Sequence, residues 1–336
     1  MAALVFNPTD ESGERHVDID PGESVLDALL RAGINVPYGC KSGICQSCIL
    51  QTHDCTVPAI AQLGLRPQQV EQGQFLSCRC LAEADHALSV RSVDLSGQQH
   101  EARVIEKSRL NDNVFRLRIE NCTTYHAGQF FTLWKDTHTA RSYSAASLHS
   151  CDDYIEFHIK HIKGGAFSEW AWQTLLPGDT LQVQGPLGNC YYSGTDRDVP
   201  LFLSGIGTGL APLMGILRDA LYHSHRGPII LLVGNNSHHG FYLLDELSEL
   251  SQRHSNVSVY FIAQEAPTET HKNPQYFDIQ QADIYLFAKT CIDNFSGHRI
   301  YLCGAPSFVQ KMKKLCFING AKMSDIHADA FLPFNT

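Results

Sequence analysis

The run Y-G-C-K-S-G-I-C-Q-S-C over residues 38–48 constrains this chain more than any other feature, because it sets Cys40, Cys45 and Cys48 at C-x4-C-x2-C spacing. Cys78 follows Cys48 after 29 intervening residues. A [2Fe–2S] cluster needs four thiolates around two irons, and this spacing with a distant fourth cysteine supplies them. Gly39 and Gly43 fit a loop wrapped closely around such a cluster, since glycine reaches positive φ and admits close backbone approach. A zinc site pairs C-x2-C with a second C-x2-C or an H-x3-H, and no such partner stands nearby. The motif implies one-electron chemistry. Cys80, in Q-F-L-S-C-R-C, competes with Cys78 for the fourth position, and Phe75 and Leu76 read as a short strand ending at Cys78.

With 336 residues the chain exceeds one ordinary core, and two or three domains are expected. A hydrophobic content of 43% against 18% charged describes a globular protein. No apolar run approaches the ~18 residues that span a membrane. The first ten residues lack the basic flank and long apolar core of a secretory leader. Twelve cysteines in such a chain point to metal or redox chemistry in a reducing, cytoplasmic compartment rather than to disulfides. Outside the cluster set, Cys55, Cys122, Cys151, Cys190, Cys291 and Cys316 read as buried or incidental thiols. Residues 1–95 hold 12 Asp or Glu against 6 Lys or Arg, an excess of 6 within a net charge of −9. That balance argues against nucleic acid as a partner; it suits a protein partner with a basic patch, or equally just keeps the domain soluble.

The chain divides into three segments. In residues 1–97, 4–6 and 17–19 read as strands, and Ser24 caps a helix in which Val25, Ala28, Leu29 and Ala32 repeat at helical spacing and Gly33 stops the chain. A closing strand falls at 87–90, and polar residues 98–101 mark the boundary. Residues 98–196 are all-β, with strands at 104–105, 114–119, 154–159 and 181–183, and one helix opening near Ala166. Residues 197–336 alternate strands (201–203, 229–233, 257–262, 300–302) with helices, which predicts a parallel sheet covered on both faces.

Two motifs in the second segment suit a flavin. Arg141-Ser142-Tyr143-Ser144 ends a strand: Arg141 is a fixed positive fork for a pyrophosphate, Tyr143 a ring for stacking, and Ser144 a hydroxyl near a ring nitrogen. Gly164-Gly165-Ala166-Phe167-Ser168 is a glycine turn running into a helix, whose free amides suit an anion. Two more in the third segment suit a nicotinamide dinucleotide. Gly205, Gly207, Thr208, Gly209 and Pro212 lie in S-G-I-G-T-G-L-A-P, between a strand and a helix, where backbone approaches a pyrophosphate. Tyr301-Leu302-Cys303-Gly304-Ala305-Pro306 repeats the strand-to-helix passage. Residues 233–237, V-G-N-N-S, lack the arginine that pairs with a 2′-phosphate, and Arg253 and Lys272 do not supply it, so NADH is expected over NADPH.

This order of motifs resembles the ferredoxin–NAD(P) reductase superfamily, and specifically the reductase components of bacterial multicomponent oxygenases of the phenol hydroxylase and methane monooxygenase type. The resemblance spans essentially the whole chain. It implies a β-grasp ferredoxin domain (1–97), an antiparallel β-barrel FAD domain (98–196) and an α/β NAD domain (197–336). It implies that Leu76-Ser77-Cys78 carries the fourth cluster ligand, so the ligands become Cys40, Cys45, Cys48 and Cys78. It places the flavin pyrophosphate on Arg141 and on residues Gly164 through Ser168, stacks Tyr143 on the flavin, and sets Ser144 near the atom that receives hydride. Cys303 lies beside the nicotinamide and orients it, and Phe331, with Phe334 as a rival, shields the flavin. The implied activity is electron transfer from NADH through FAD and the cluster to a protein acceptor, an oxygenase component. The pattern also admits a reductase serving a deoxysugar-type dehydratase. A non-catalytic redox sensor is the third reading, and the intact nucleotide motifs argue against it.

Overall fold

The computed structural model describes residues 2–7, 13–34, 36–38, 41, 43, 46–52, 57–65, 67–81, 88–93, 99–136, 139–265 and 279–331. The first sheet holds β1 (Ala2–Asn7), β2 (Arg15–Ile19), β3 (Ile49–Gln51), β4 (Gln74–Leu76) and β5 (Leu88–Ser92) in the order β2-β1-β5-β3-β4. Ser24 accepts the amide of Asp27 at 3.1 Å and so starts α1 (Val25–Arg31). The helix buries Val25, Leu26, Ala28 and Leu29 against Leu4, Phe6, Ile19 and Phe75 of the sheet. One helix over a small mixed sheet is the β-grasp arrangement. A short helix, α2 (Pro67–Glu71), precedes β4.

The second sheet is wholly antiparallel, with β6 (Gln99–Arg109), β7 (Val114–Glu120), β8 (Phe130–Trp134), β9 (Ala140–Ser144), β10 (Tyr154–Lys160) and β11 (Thr180–Leu187) in the order β10-β7-β6-β11-β8-β9. A bridge between Ala145 and Phe157 draws the two edge strands together and rolls the sheet into a barrel. The polar residues 99–101 already belong to β6 and pair with β11, so the strand begins where the sequence reads as a boundary. Helix α3 (Ser168–Gln173) plugs the barrel, with Phe167, Ala171 and Leu175 joining Phe115, Leu117, Phe131 and Phe157 in its core. Lys107 Nζ donates to the carbonyls of Ala171 and Trp172, each at 3.1 Å, and to that of Leu175, satisfying the open end of this short helix.

The third sheet is wholly parallel, with β12 (Leu201–Ile206), β13 (Ile229–Asn235), β14 (Val257–Ala263), β15 (Ile279–Gln281), β16 (Arg299–Gly304) and β17 (Ile326–Ala330) in the order β15-β14-β13-β12-β16-β17. Helices α4 (Leu210–Tyr222), α5 (Leu244–Arg253), α6 (Ile284–Cys291) and α7 (Pro306–Ile318) cover it, and an apolar cluster lies on each face. The chain runs outward from β12 through β13 to β15, then returns to β16 on the other side of β12. That reversal opens a crevice at the carboxyl ends of β12 and β16, where such sheets bind ligands. Among the described residues no helix is long and apolar enough to cross a membrane.

Charged pairs and a neutral hydrogen bond tie barrel to parallel sheet. Arg218 of α4 holds Asp152 in a two-bond fork at 2.8 and 2.9 Å, and Asn111 donates to the carbonyl of Gly240 at 3.1 Å. Arg116 reaches Glu246 at 3.4 Å and Glu156 at 3.3 Å. Glu156 is buried on β10, where Arg118 Nε donates to it at 2.7 Å and His158 Nε2 at 2.9 Å. Burial pushes its carboxyl up, but the His158 hydrogen bond and the two guanidinium groups outweigh that and hold it at about 2, against an ordinary 4.5. A depressed carboxylate stabilises the fold above its unfolded value, and that contribution is lost as pH falls from 4.5 toward 2. Glu156→Gln is expected to destabilise the protein by on the order of 3 kcal/mol at pH 7. Urea denaturation of both forms checks this, and the gap between them closes as pH falls through that window.

Candidate functional site

The β3–β4 pairing builds the iron–sulfur end. Ile49 stands opposite Leu76, and the residues flanking this pair meet next: Ser77 donates to the carbonyl of Cys48 through its amide at 3.0 Å and its hydroxyl at 2.8 Å. These two hydrogen bonds fasten the residue preceding Cys78 to the Cys48 carbonyl, bringing two distant points of the chain together. Cys80 lies two residues on, where its carbonyl accepts the amide of Val25 at the start of α1 at 2.9 Å and its side chain is buried. Lys41 and Gln46 in the preceding loop have φ of +52° and +55°, the tight backbone that a cluster loop needs. Gly39, Cys40 and Cys45 lie outside the described residues. The described half of the donor set, two cysteines at the end of one strand pair, fits a [2Fe–2S] cluster.

The flavin motifs converge on the open side of the barrel. Arg141 and Tyr143 alternate with Ser142 and Ser144 on β9, so the first pair share one strand face and the serines the other. Ser142 Oγ meets Thr132 Oγ1 at 3.0 Å, while Tyr143 packs its ring against Phe167 of the glycine turn at 5.5 Å. R-x-Y-S and G-G-A-F-S are thus neighbours in space. One expectation is modified: the amide of Gly164 donates to Glu169 Oε2 at 3.0 Å and that of Gly165 to the carbonyl of Ile162 at 2.9 Å. Ser168 Oγ likewise serves the turn, accepting from the amide of Ile162 at 3.2 Å. The amides of Ala166, Phe167 and Ser168 have no acceptor among the described residues. Three consecutive open amides, on a turn whose Phe167 packs against Tyr143 of the R-x-Y-S strand, fit a pyrophosphate.

At the parallel sheet close backbone packing forms the floor of the crevice. A Cβ on Gly209 would stand 2.3 Å from the Cys303 carbonyl oxygen, so only glycine lets the turn after β12 lie on the end of β16. Gly207, at φ +56°, faces open space instead, with nothing within 4 Å of a Cβ placed there. An open glycine turn leading into α4 suits a dinucleotide pyrophosphate, and Pro212 falls within the first turn of α4, where no amide is missed. Pro306 opens α7 in the same way, at its first position after the N-cap Ala305.

The two halves meet through motif residues together with Asp329, which the motifs gave no role. Ser144 Oγ donates to Asp329 Oδ2 at 2.5 Å, joining the end of β9 to β17 across 185 positions of sequence. Asp329 pairs in register with Cys303, and the amide of Phe331 donates to the carbonyl of Gly304 at 2.7 Å. Desolvation raises the Asp329 carboxyl to about 6 against the lowering effect of the Ser144 bond. Cys303 is wholly buried, and burial pushes its thiol well above the ordinary range, so it stays protonated and is no nucleophile. Ser144, Asp329, Cys303 and Phe331 therefore cluster at one point between barrel and sheet. Phe334 lies outside the described residues. The acidic-then-aromatic ending H-A-D-A-F is the sequence signal that points toward Asp329.

Comparison with known families and proteins agrees with this architecture. Residues 8–83 match the 2Fe-2S iron-sulfur cluster binding domain, 101–192 the oxidoreductase FAD-binding domain, and 202–314 the oxidoreductase NAD-binding domain. The chain is an iron–sulfur flavoprotein oxidoreductase using a [2Fe–2S] cluster, FAD and NAD(P)H. It belongs to the family of ferredoxin–NAD(P) reductase components of bacterial multicomponent oxygenases. It is 30% identical over 319 residues to reductase component 1 of terephthalate 1,2-dioxygenase from Comamonas sp., covering 93% of each chain. It is 28% identical over 331 residues to the ferredoxin–NAD(P)+ reductase component of the naphthalene 1,2-dioxygenase system of Pseudomonas putida, covering 96% of this chain and 98% of that one. The crystal structure of the Amycolatopsis cytochrome P450 reductase GcoB superposes with a TM-score of 0.67 at 25% identity, covering 98% and 99%.

Proposed function

We propose that this chain takes hydride from NADH at the β12–β16 crevice and delivers electrons singly, through a cluster held by Cys40, Cys45, Cys48 and Cys78, to an oxygenase component. The observation that carries this reading is the Ser144–Asp329 bond, because it joins the strand bearing the flavin motif to the strand beside Cys303. FAD, when bound, supplies the conversion from a two-electron donor to a one-electron carrier. Arg141 and the amides of Ala166, Phe167 and Ser168 anchor its pyrophosphate, and Tyr143 lies against its ring system. Ser144 donates its one proton to Asp329 and presents its oxygen as an acceptor at the hydride-accepting edge. Phe331 excludes water from the crevice. Cys303, held neutral, orients the nicotinamide without forming a bond to it. The relatives named as reductase components of terephthalate and naphthalene dioxygenases support an oxygenase as acceptor.

The preference for NADH gains a residue beyond those read from sequence. The amide of Gln264 donates to the carbonyl of Asn235 at 3.0 Å and that of Glu265 to the carbonyl of Asn236 at 2.9 Å. The exposed Glu265 carboxylate therefore stands at the carboxyl end of β14, beside the end of β13. A carboxylate there repels a 2′-phosphate and accepts from a 2′-hydroxyl. The wild type is expected to favour NADH over NADPH in kcat/KM by at least about tenfold, and Glu265→Arg to shift that ratio about tenfold toward NADPH. Steady-state reduction of cytochrome c with each nucleotide measures both. A wild type with equal kcat/KM for the two nucleotides overturns the NADH assignment.

A further inference from the structure

Cys190 stands in the segment between β11 and β12, and nothing in its sequence context separates it from an incidental thiol. In the folded chain its sulfur lies 4.0 Å from the sulfur of Cys303, across 113 positions, with both side chains buried. We propose that Cys190 is a positioning residue for hydride transfer: its thiol holds the Cys303 thiol in the one orientation that serves the nicotinamide. The inference rests on the reading of Cys303 as the residue beside the nicotinamide.

The surroundings of the pair make the contact specific. Cys303 Sγ is reached by the main chain of Asp329 on one side and by Cys190 on another, within an apolar cluster that includes Leu213, Tyr192 and Tyr301. With both side chains buried, each sulfur is a weak donor and a weak acceptor, and the two lie within reach of each other. Cys190 is itself fixed from two sides. A Cβ on Gly128 would stand 2.5 Å from its carbonyl oxygen, so the segment lies directly on the barrel. Two residues on, Tyr192 Oη meets His225 Nδ1 at 3.0 Å, and His225 Nε2 donates to the carbonyl of Val199 at 3.0 Å. The linker between barrel and sheet thus carries a rigid sulfur into the back of the site. Truncating it to alanine leaves a space the size of one sulfur, and the Cys303 side chain rotates into that space and away from the crevice.

The test uses the flavin- and cluster-loaded full chain in anaerobic single-turnover reduction by NADH. Cys190→Ala is expected to slow flavin bleaching about tenfold with apparent NADH affinity changed less than about twofold, the signature of an orientation effect. Cys190→Ser, which restores a donor in nearly the same volume, returns the rate to within about threefold of wild type. In a Cys303→Ala background the further change Cys190→Ala alters the rate less than about twofold, because the group it positions is gone. Independently of turnover, maleimide modification of Cys303, mapped by peptide mass, proceeds at least about fivefold slower in Cys190→Ala than in Cys190→Ser, because the thiol has turned inward from the crevice. Equal slowing by alanine and serine, no slowing by alanine, or additive losses in the double variant overturns the proposal. If Cys303→Ala alone leaves the rate unchanged, the reading of Cys303 itself falls; if it slows the rate and Cys190→Ala does not, only the role of Cys190 falls.

Discussion

Cys78→Ser is expected to abolish cytochrome c reduction, lowering it at least about 100-fold, while NADH-driven reduction of ferricyanide by the flavin persists. Serine offers iron a hydroxyl in place of a thiolate, and four soft thiolates are what holds such a cluster. Cys80→Ser, in contrast, should retain iron, sulfide and both activities. The structural reason is the pair of hydrogen bonds from Ser77 to the Cys48 carbonyl, which ties the residue before Cys78 to Cys48, whereas the Cys80 carbonyl is engaged at the start of α1. Iron and sulfide analysis of the two purified variants decides the matter. Loss of iron from Cys80→Ser with retention in Cys78→Ser would reverse the assignment.

Ser144→Ala should slow flavin reduction about 100-fold in single turnover while flavin content stays near that of wild type. The hydroxyl does two things in this site. It sits at the end of the flavin-motif strand, and it donates to a carboxyl that desolvation has raised to about 6. The sign of the pH effect follows. The hydroxyl stabilises the ionised form of Asp329, so removing it raises the carboxyl further. A rate inflection near pH 6 in the wild type should therefore move upward in the alanine variant. An unchanged single-turnover rate, or an inflection that moves down, contradicts the role given to Ser144.

The features that short-range chemistry dictates are legible in the amino-acid sequence. Thiolate spacing, the capped helix at Ser24 and the glycine turns after apolar strands each follow from local rules, and the helix and the turns stand where those rules put them. Strand β8, Phe130–Trp134, carries no alternation because all five residues are buried, and so it escapes the period-two signal. Strand β17 escapes for the opposite reason: Ile326–Ala330 is short and mostly half-exposed, and it is a strand because β16 offers it an edge. The contacts that assemble the site are the least local of all. Ser144 with Asp329 and Cys190 with Cys303 are each products of the way barrel, linker and sheet close on one another. The glycine turn at residues 164–168 shows the same limit on a smaller scale. Its motif is visible in sequence, but which amides it leaves open depends on Glu169 folding back onto Gly164.

The most direct test of the central claim is an anaerobic titration of the purified protein with NADH, followed by absorbance and low-temperature EPR. The account predicts bleaching of the flavin absorbance together with the appearance of a reduced [2Fe–2S] signal, the electrons having crossed from crevice to barrel to cluster. Flavin bleaching with no cluster signal, in protein whose iron and sulfide are intact, would contradict it.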